Sequence, residues 1–281
     1  MENGILYVNK PKGMTSFDVV YKLRKKLNIK SIGHTGTLDP NAEGLLIVLL
    51  GKYTKLLPYC NHDNKEYIAT FKFGIKTDTL DIWGETLDTK NNIIITKEKL
   101  EEVLKTFLGK QKQIPPMYSA KKVKGKKLYE YARDNKEIKR EPIDIFINNI
   151  ELLSFDKEVK IKTTVSSGTY IRTLIDDIGT KLNTYACMTG LIRTAIGDVN
   201  LDNSINLDDI NKETMLISNP RLILDSNIEM LESNKIEDIK NGKKINLDSN
   251  NKTILLTNNE KLLAIYEKVE GNIYRCRRGL W

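Results

Sequence analysis

The sequence predicts an α+β protein. Three features carry that expectation: runs of strand character that are apolar or alternate with period two, three segments with apolar residues at helical spacing, and a closing stretch of short strands separated by Asn-Asn and Gly-Asn turns.

Taken in order, residues 16–28 (SFDVVYKLRKKLN) predict an amphipathic helix with Ser16 as N-cap and Phe17, Val20 and Leu23 on one face. Residues 45–50 (LLIVLL) fit a buried strand or a helix core, and the short length favours the strand. Residues 66–74 (EYIATFKFG) have high β propensity. Residues 97–108 predict a helix built on Leu100, Val103, Leu104, Phe107 and Leu108, with Gly109 as its stop. Residues 143–153 and 157–165 alternate like two strands joined around Ser154, Phe155 and Asp156, and 169–182 predict a helix. Residues 203–240 are polar and Asn-rich. The segments KKINL, KTILLT, KLLAIYEKV and IYRCR within 243–277 predict a small β module.

The chain has 281 residues, 45 Lys and Arg against 37 Asp and Glu, and a net charge of +8. The length suits one large domain with a small addition. The charge suits a polyanionic partner, although a Lys-rich compositional bias gives the same sum. No apolar run reaches 18 residues, and the opening MENGILYVNKPKG lacks a signal-peptide pattern, so neither membrane span nor secretion is expected. Three cysteines without CxxC spacing argue against a disulfide framework and for a reducing, cytoplasmic setting. With only His34 and His62, a His-rich metal site is not expected.

Chemistry concentrates in four places. Residues 33–44 (GHTGTLDPNAEG) set Asp39 on a loop with three glycines and a proline. Asp39 reads either as a nucleophile or base held on a rigid loop, or as the first residue of a tight turn. The loop matches neither GxxxxGK[ST] nor GxGxxG, which disfavours a nucleotide-phosphate cradle. Residues 166–173 (SSGTYIRT) carry Tyr170 and Arg172, which share a face if the segment is extended; Arg172 can hold a carboxylate, or can be structural on a helix's first turn. Tyr67 in KEYIA can stack on a base or belong to the core. Asp78, Asp81 and Glu85 in TDTLDIWGE lack EF-hand spacing, and loop positioning is the favoured reading. In addition, residues 121–140 hold nine Lys and Arg with Tyr129 and Tyr131 among them, a pattern that suits nucleic-acid backbone and base contact or a solvated helix face.

In order, GILYVNKPKGMTSFDVV, GHTGTLDPNAEGLLIVLLGKYTKLL, KEYIATFKFGIKTDTLDIWGE, QIPPMYSAKKVKGKKLYEYAR, SSGTYIRTLIDDIG and LIRTAIGDV resemble the bacterial tRNA pseudouridine-55 synthase family of TruB type, over most of residues 4–199. The resemblance implies a mixed, largely antiparallel sheet with flanking helices as a catalytic domain over 1–230. A basic RNA-clamp insertion at 113–140 and a small PUA-like RNA-binding module at 231–281 are also implied. The implied reaction isomerises one uridine in the T arm of tRNA, without cofactor or metal. A monomer is expected, because the partner surface is devoted to RNA. Carried onto this sequence, the catalytic aspartate is Asp39, kept ionised by Arg172, and Tyr170 handles the proton at C5. Tyr67 stacks on the flipped base. His34 wedges into the space that the base vacates. Leu191, of the element Leu191-Ile192-Arg193, and Lys10, Lys121 and Lys122 are the further substrate-binding residues.

Overall fold

A computed structural model describes residues 3–60, 64–134 and 136–281. His62 and Asn135, the latter inside the basic stretch, lie outside the described residues. The chain forms two compact units, one of residues 1–62 and 197–281, the other of residues 63–196.

The first unit opens with β1 (Gly4–Lys10), α1 (Ser16–Leu27), β2 (Ile32–His34) and β3 (Glu43–Leu50). Leu45 to Leu50 are all buried, which resolves this run as a strand. β3 pairs antiparallel with β1 from Gly4↔Leu50 to Lys10↔Gly44, and with β2 at Ile32↔Leu50 to His34↔Val48. α1 packs Val19, Val20 and Leu23 into one core with Leu6, Val8, Leu46 and Val48. Two details differ from the expectation. Thr15, not Ser16, caps the helix: its hydroxyl accepts the Asp18 amide hydrogen while the Asp18 carboxylate takes the Thr15 N–H. Phe17 faces outward at 62% exposure, because the apolar stripe follows Val19, Val20 and Leu23.

The second unit holds β4 (Lys65–Phe73), β5 (Ile75–Thr77), β6 (Thr86–Thr89), α2 (Lys97–Lys105), β7 (Gly109–Gln113), β8 (Lys122–Val123), β9 (Lys126–Lys127), α3 (Leu128–Arg133), β10 (Ile143–Phe155), β11 (Val159–Val165), α4 (Ile171–Lys181) and β12 (Ala186–Ile196). Its sheet runs β12-β4-β11-β10-β7, antiparallel throughout. Tyr67, Ala69 and Phe71 of β4 face inward and pair with Thr163, Ile161 and Val159 of β11, all buried. α4 buries Ile171, Leu174, Ile175 and Ile178. A Cβ on Gly179 would come within 2.6 Å of the Ala186 nitrogen, so only glycine lets α4 lie this close to the start of β12. Gly109 (φ +84) opens β7 instead of ending α2, which stops at Thr106. α4 begins at Ile171 rather than 169, with Tyr170 as its cap residue.

The chain then returns to the first unit with β13 (Val199–Asn200), β14 (Ile205–Asn206), β15 (Ile228–Glu232), α5 (Ile236–Lys240), β16 (Ile245–Asn246), β17 (Thr253–Asn258), β18 (Lys261–Glu270) and β19 (Ile273–Gly279). β14 pairs parallel with β1. The last five strands form a sheet in the order β15-β17-β18-β19-β16 around Ile239, Ile254, Leu256, Ala264, Tyr266 and Tyr274. The four strand segments expected from the sequence are β16 to β19. The fifth strand, β15, lies in the Asn-rich stretch, where no strand is expected, and pairs parallel with β17. The fold is thus α+β with largely antiparallel pairing, as expected. None of the three cysteines forms a disulfide. No helix among the described residues is long and apolar enough to cross a membrane.

Candidate functional site

Asp39 lies between β2 and β3, and both its chain neighbours are pinned. On one side, the buried Ser16 hydroxyl accepts the Leu38 N–H at 2.9 Å and donates to the Leu38 carbonyl at 3.3 Å. On the other, the Pro40 carbonyl accepts the Gly13 N–H at 2.9 Å and the Lys10 ammonium at 3.1 Å. Asp39 also opens a turn: its main-chain carbonyl accepts the Ala42 N–H at 3.1 Å, with Pro40 in the second position that its fixed φ suits. This turn bond is made by the Asp39 backbone. The glycines of this loop serve different ends. Gly44 has φ +102, whereas a Cβ on Gly33 would stand 2.8 Å from Leu57.

Lys10, expected to bind substrate, is instead fully buried, and its ammonium donates to the carbonyls of Pro11, Met14 and Pro40. A buried cation needs such partners to offset its desolvation, and here they tie the Pro11–Met14 bend to the Asp39 turn. His34 is half-buried in β2 opposite Val48. The ladder continues past it, the Thr35 N–H donating to the Ile47 carbonyl.

In the second unit, Tyr67 is 7% exposed and faces Arg193 of β12 across the strand pair. Leu191 lies two residues before Arg193, opposite Ala69, and shares its side of the sheet. Ile192 faces the other way, opposite Ile68. Arg193 is buried at 1% exposure. The half-buried Lys65, two residues before Tyr67, donates to the Ser167 hydroxyl at 3.0 Å. Burial, with a smaller contribution from the Arg193 charge, lowers the Lys65 ammonium to about 8.

The TYIR segment is not extended throughout. Tyr170 has extended angles (φ −98°, ψ 111°), whereas Arg172 is the second residue of α4, so simple alternation does not place the two side chains. Gln113, at the end of β7, pairs with both backbone groups of Tyr170: its Oε1 accepts the Tyr170 N–H at 2.8 Å and its Nε2 donates to the Tyr170 carbonyl at 3.0 Å. Arg172 is buried, donating through Nη1 to the Thr79 carbonyl at 2.8 Å and through Nη2 to the Tyr118 carbonyl at 2.7 Å. Its Nε stands 3.9 Å from the Asp81 carboxylate. Asp81 also accepts from the Thr79 hydroxyl and the Trp83 N–H, so the TDTLDIWGE loop positions a cation's partner. Sequence reasoning assigns no site role to Gln113, Lys65 or Arg193 and only loop positioning to Asp81, although QIPP and the residue ending LIR mark two of the places.

The basic stretch is a hairpin followed by a short helix. Lys124 and Gly125 both have positive φ, as a two-residue hairpin turn between β8 and β9 requires. Lys122, Lys124 and Lys126 are exposed, and Lys121 is half-buried. Lys127 and Arg133 each lie 5.3 Å from the ring centre of Tyr129. Among the described residues, no group of three or more His, Cys, Asp or Glu stands together as a metal cradle.

Residues 24–171 match the TruB family pseudouridylate synthase (N terminal domain), and residues 172–233 match the tRNA pseudouridylate synthase B C-terminal domain. The class is therefore that of the pseudouridylate synthases. A protein named tRNA pseudouridine synthase B from Mesoplasma florum is 40% identical over 99% of this chain and 98% of its own length. Proteins of the same name are 52% identical in Fusobacterium nucleatum, over 71% of this chain and 69% of theirs, and 47% identical in Bacillus subtilis, over 75% and 70%. The chain belongs to the TruB family. A solved Cbf5-Nop10-Gar1 complex contains a chain with the same fold, at a TM-score of 0.70 and 22% identity over 99% of this chain and 85% of that one.

Proposed function

We propose that the protein is a tRNA pseudouridine synthase, an isomerase that converts uridine 55 in the T arm to pseudouridine. The family and its relatives named tRNA pseudouridine synthase B support an isomerase acting on tRNA. The observation that carries the chemistry is the aspartate turn anchored on both sides by Ser16 and Lys10. A carboxylate on such a turn is held in one geometry before substrate arrives, as a reacting group needs.

In this reading the target uridine leaves the stack, and Asp39 acts on the ribose or the base to open the N-glycosidic bond. The uracil turns, C5 bonds to C1′, and the proton on C5 must then leave. Tyr170 relays that proton, since a phenol can donate or accept. Arg172 is the fixed cation of the reaction. Tyr67 stacks with the extruded base and offsets part of the unstacking cost, by about 1–3 kcal/mol. Leu191 lines the same sheet face, and His34 holds the T loop open. Lys121 and Lys122, with the 113–140 insertion, grip phosphates. Lys10 anchors the loop instead of touching RNA. The C-terminal segment 231–281 is a PUA-type RNA-binding module appended to a catalytic domain over 1–230. The enzyme works as a cytoplasmic monomer and uses neither cofactor nor metal.

The test is to incubate purified protein with unmodified tRNA, and separately with a T-arm stem-loop and with ribosomal RNA, and to map pseudouridine by chemical labelling. Modification at position 55 of the tRNA and of the stem-loop alone is expected. Modification of ribosomal RNA without the stem-loop would overturn the substrate assignment.

A further inference from the structure

Tyr170 cannot cap its own helix: it sits at the N-cap position of α4, and its side chain makes no cap hydrogen bond. Its backbone is instead held by one side chain. Gln113 is 1% exposed, and its amide accepts from the Tyr170 N–H and donates to the Tyr170 carbonyl, the two bonds that a neighbouring strand residue would make. The same carbonyl also accepts the Leu174 N–H at 3.1 Å, the first bond of α4. Gln113 thus fixes the angles from which the Tyr170 Cα–Cβ bond departs and the residue from which the helix of Arg172 starts. Five residues on, the Tyr118 carbonyl takes an Arg172 guanidinium hydrogen. One short segment at the root of the basic insertion therefore holds the backbone of Tyr170 and the side chain of Arg172.

We infer that Gln113 is a positioning residue for Tyr170, setting where the phenol stands when the C5 proton leaves. This rests on the reading of Tyr170 given above. Gln113 touches no reacting atom, and its effect runs through the tyrosine backbone. A displacement of about 1 Å at such a group slows a reaction by up to about a hundredfold.

The experiment compares Gln113→Met, which lacks both hydrogen bonds at similar size, with Gln113→Glu, which keeps the acceptor for the Tyr170 N–H. Single-turnover rates are measured on tRNA carrying ordinary or 5-deuterated uridine, with tRNA Kd alongside. Gln113→Met is expected to slow turnover by about tenfold to a hundredfold and to reveal a primary deuterium effect larger than in the unsubstituted protein. Its tRNA Kd should stay within about twofold, because Gln113 itself is 1% exposed and the lysines of the insertion are unchanged. Gln113→Glu should fall between, and it carries the test if Gln113→Met does not fold. An unchanged rate, or a slower one with no larger deuterium effect, overturns the inference. Tyr170→Phe separates the two levels. If it shows the deuterium effect and the Gln113 variants do not, the positioning role alone fails. If it matches the unsubstituted protein in rate and deuterium effect, the reading of Tyr170 fails beneath it.

Discussion

The Lys10 ammonium donates to the Pro40 carbonyl at 3.1 Å, so a fully buried cation is tied to the residue immediately after Asp39. Its other two carbonyl partners, Pro11 and Met14, belong to the bend that leads into α1. Replacing Lys10 with Met removes this donor from the Pro11 and Met14 carbonyls, whereas the Pro40 carbonyl keeps the Gly13 N–H. Folding stability is expected to fall by about 3 kcal/mol, from buried acceptors left unsatisfied at about 1–3 kcal/mol each with partial relaxation. Urea unfolding checks this. Turnover should fall with it while tRNA Kd changes little, which would confirm that this lysine serves the loop and not the RNA.

Thr15 and Ser16 adjoin on α1 but serve different ends. Thr15 caps the helix, while Ser16 binds both backbone groups of Leu38. Thr15→Ala and Ser16→Ala should each cost about 1 kcal/mol in stability. Only Ser16→Ala should lower the single-turnover rate, because only it loosens the aspartate turn. Equal rates in the two variants would contradict that division.

Lys65 supplies a pH test. Burial lowers its folded-state value to about 8, from the 10.5 of an exposed lysine. Between those values the unfolded chain binds more protons than the folded one, so this group makes stability rise with pH there. Below about pH 8 both states are protonated and the full cost of the buried charge persists. The gain in urea midpoint from pH 7.5 to pH 10 should therefore shrink in Lys65→Met. An equal gain in both proteins would mean that Lys65 is not held as a partly desolvated cation.

On the basic insertion, exchanging Lys121, Lys122 and Lys124 for Gln should weaken tRNA binding. The slope of log K against log salt should become shallower by about 0.7–0.9 for each phosphate that these side chains no longer neutralise. An unchanged slope would remove these lysines from the interface.

Much of this architecture is legible in the residues, and the exceptions have physical causes. The short length of Leu45–Leu50 favours a strand over a helix core, and β3 is that strand; the alternation of 157–165 is intact in β11. α1 is legible but its phase is not. Phe17 fits helical spacing as well as Val19 does, and tertiary packing decides which stripe is covered. β15 stays hidden because its partner, β17, lies beyond α5 in the chain, and parallel pairing leaves no hairpin signal. Among the expected site residues, Asp39, Tyr170 and Arg172 stand out through their motifs. Their holders do not, because a buried Gln or Lys that grips backbone carbonyls looks like any other polar residue until the chain folds. Lys10 differs from the other expected substrate-binding lysines in that its ammonium is turned inward onto backbone carbonyls.

The central claim is that this protein isomerises uridine through Asp39. The most direct measurement is pseudouridine formation at position 55 by Asp39→Asn, with tRNA affinity determined on the same preparation. The substitution keeps size and removes the charge. Loss of all detectable isomerisation with tRNA Kd within about threefold of the unsubstituted protein is expected, since phosphate contacts supply most of the affinity. Pseudouridine formed by Asp39→Asn at the unsubstituted rate would contradict the account.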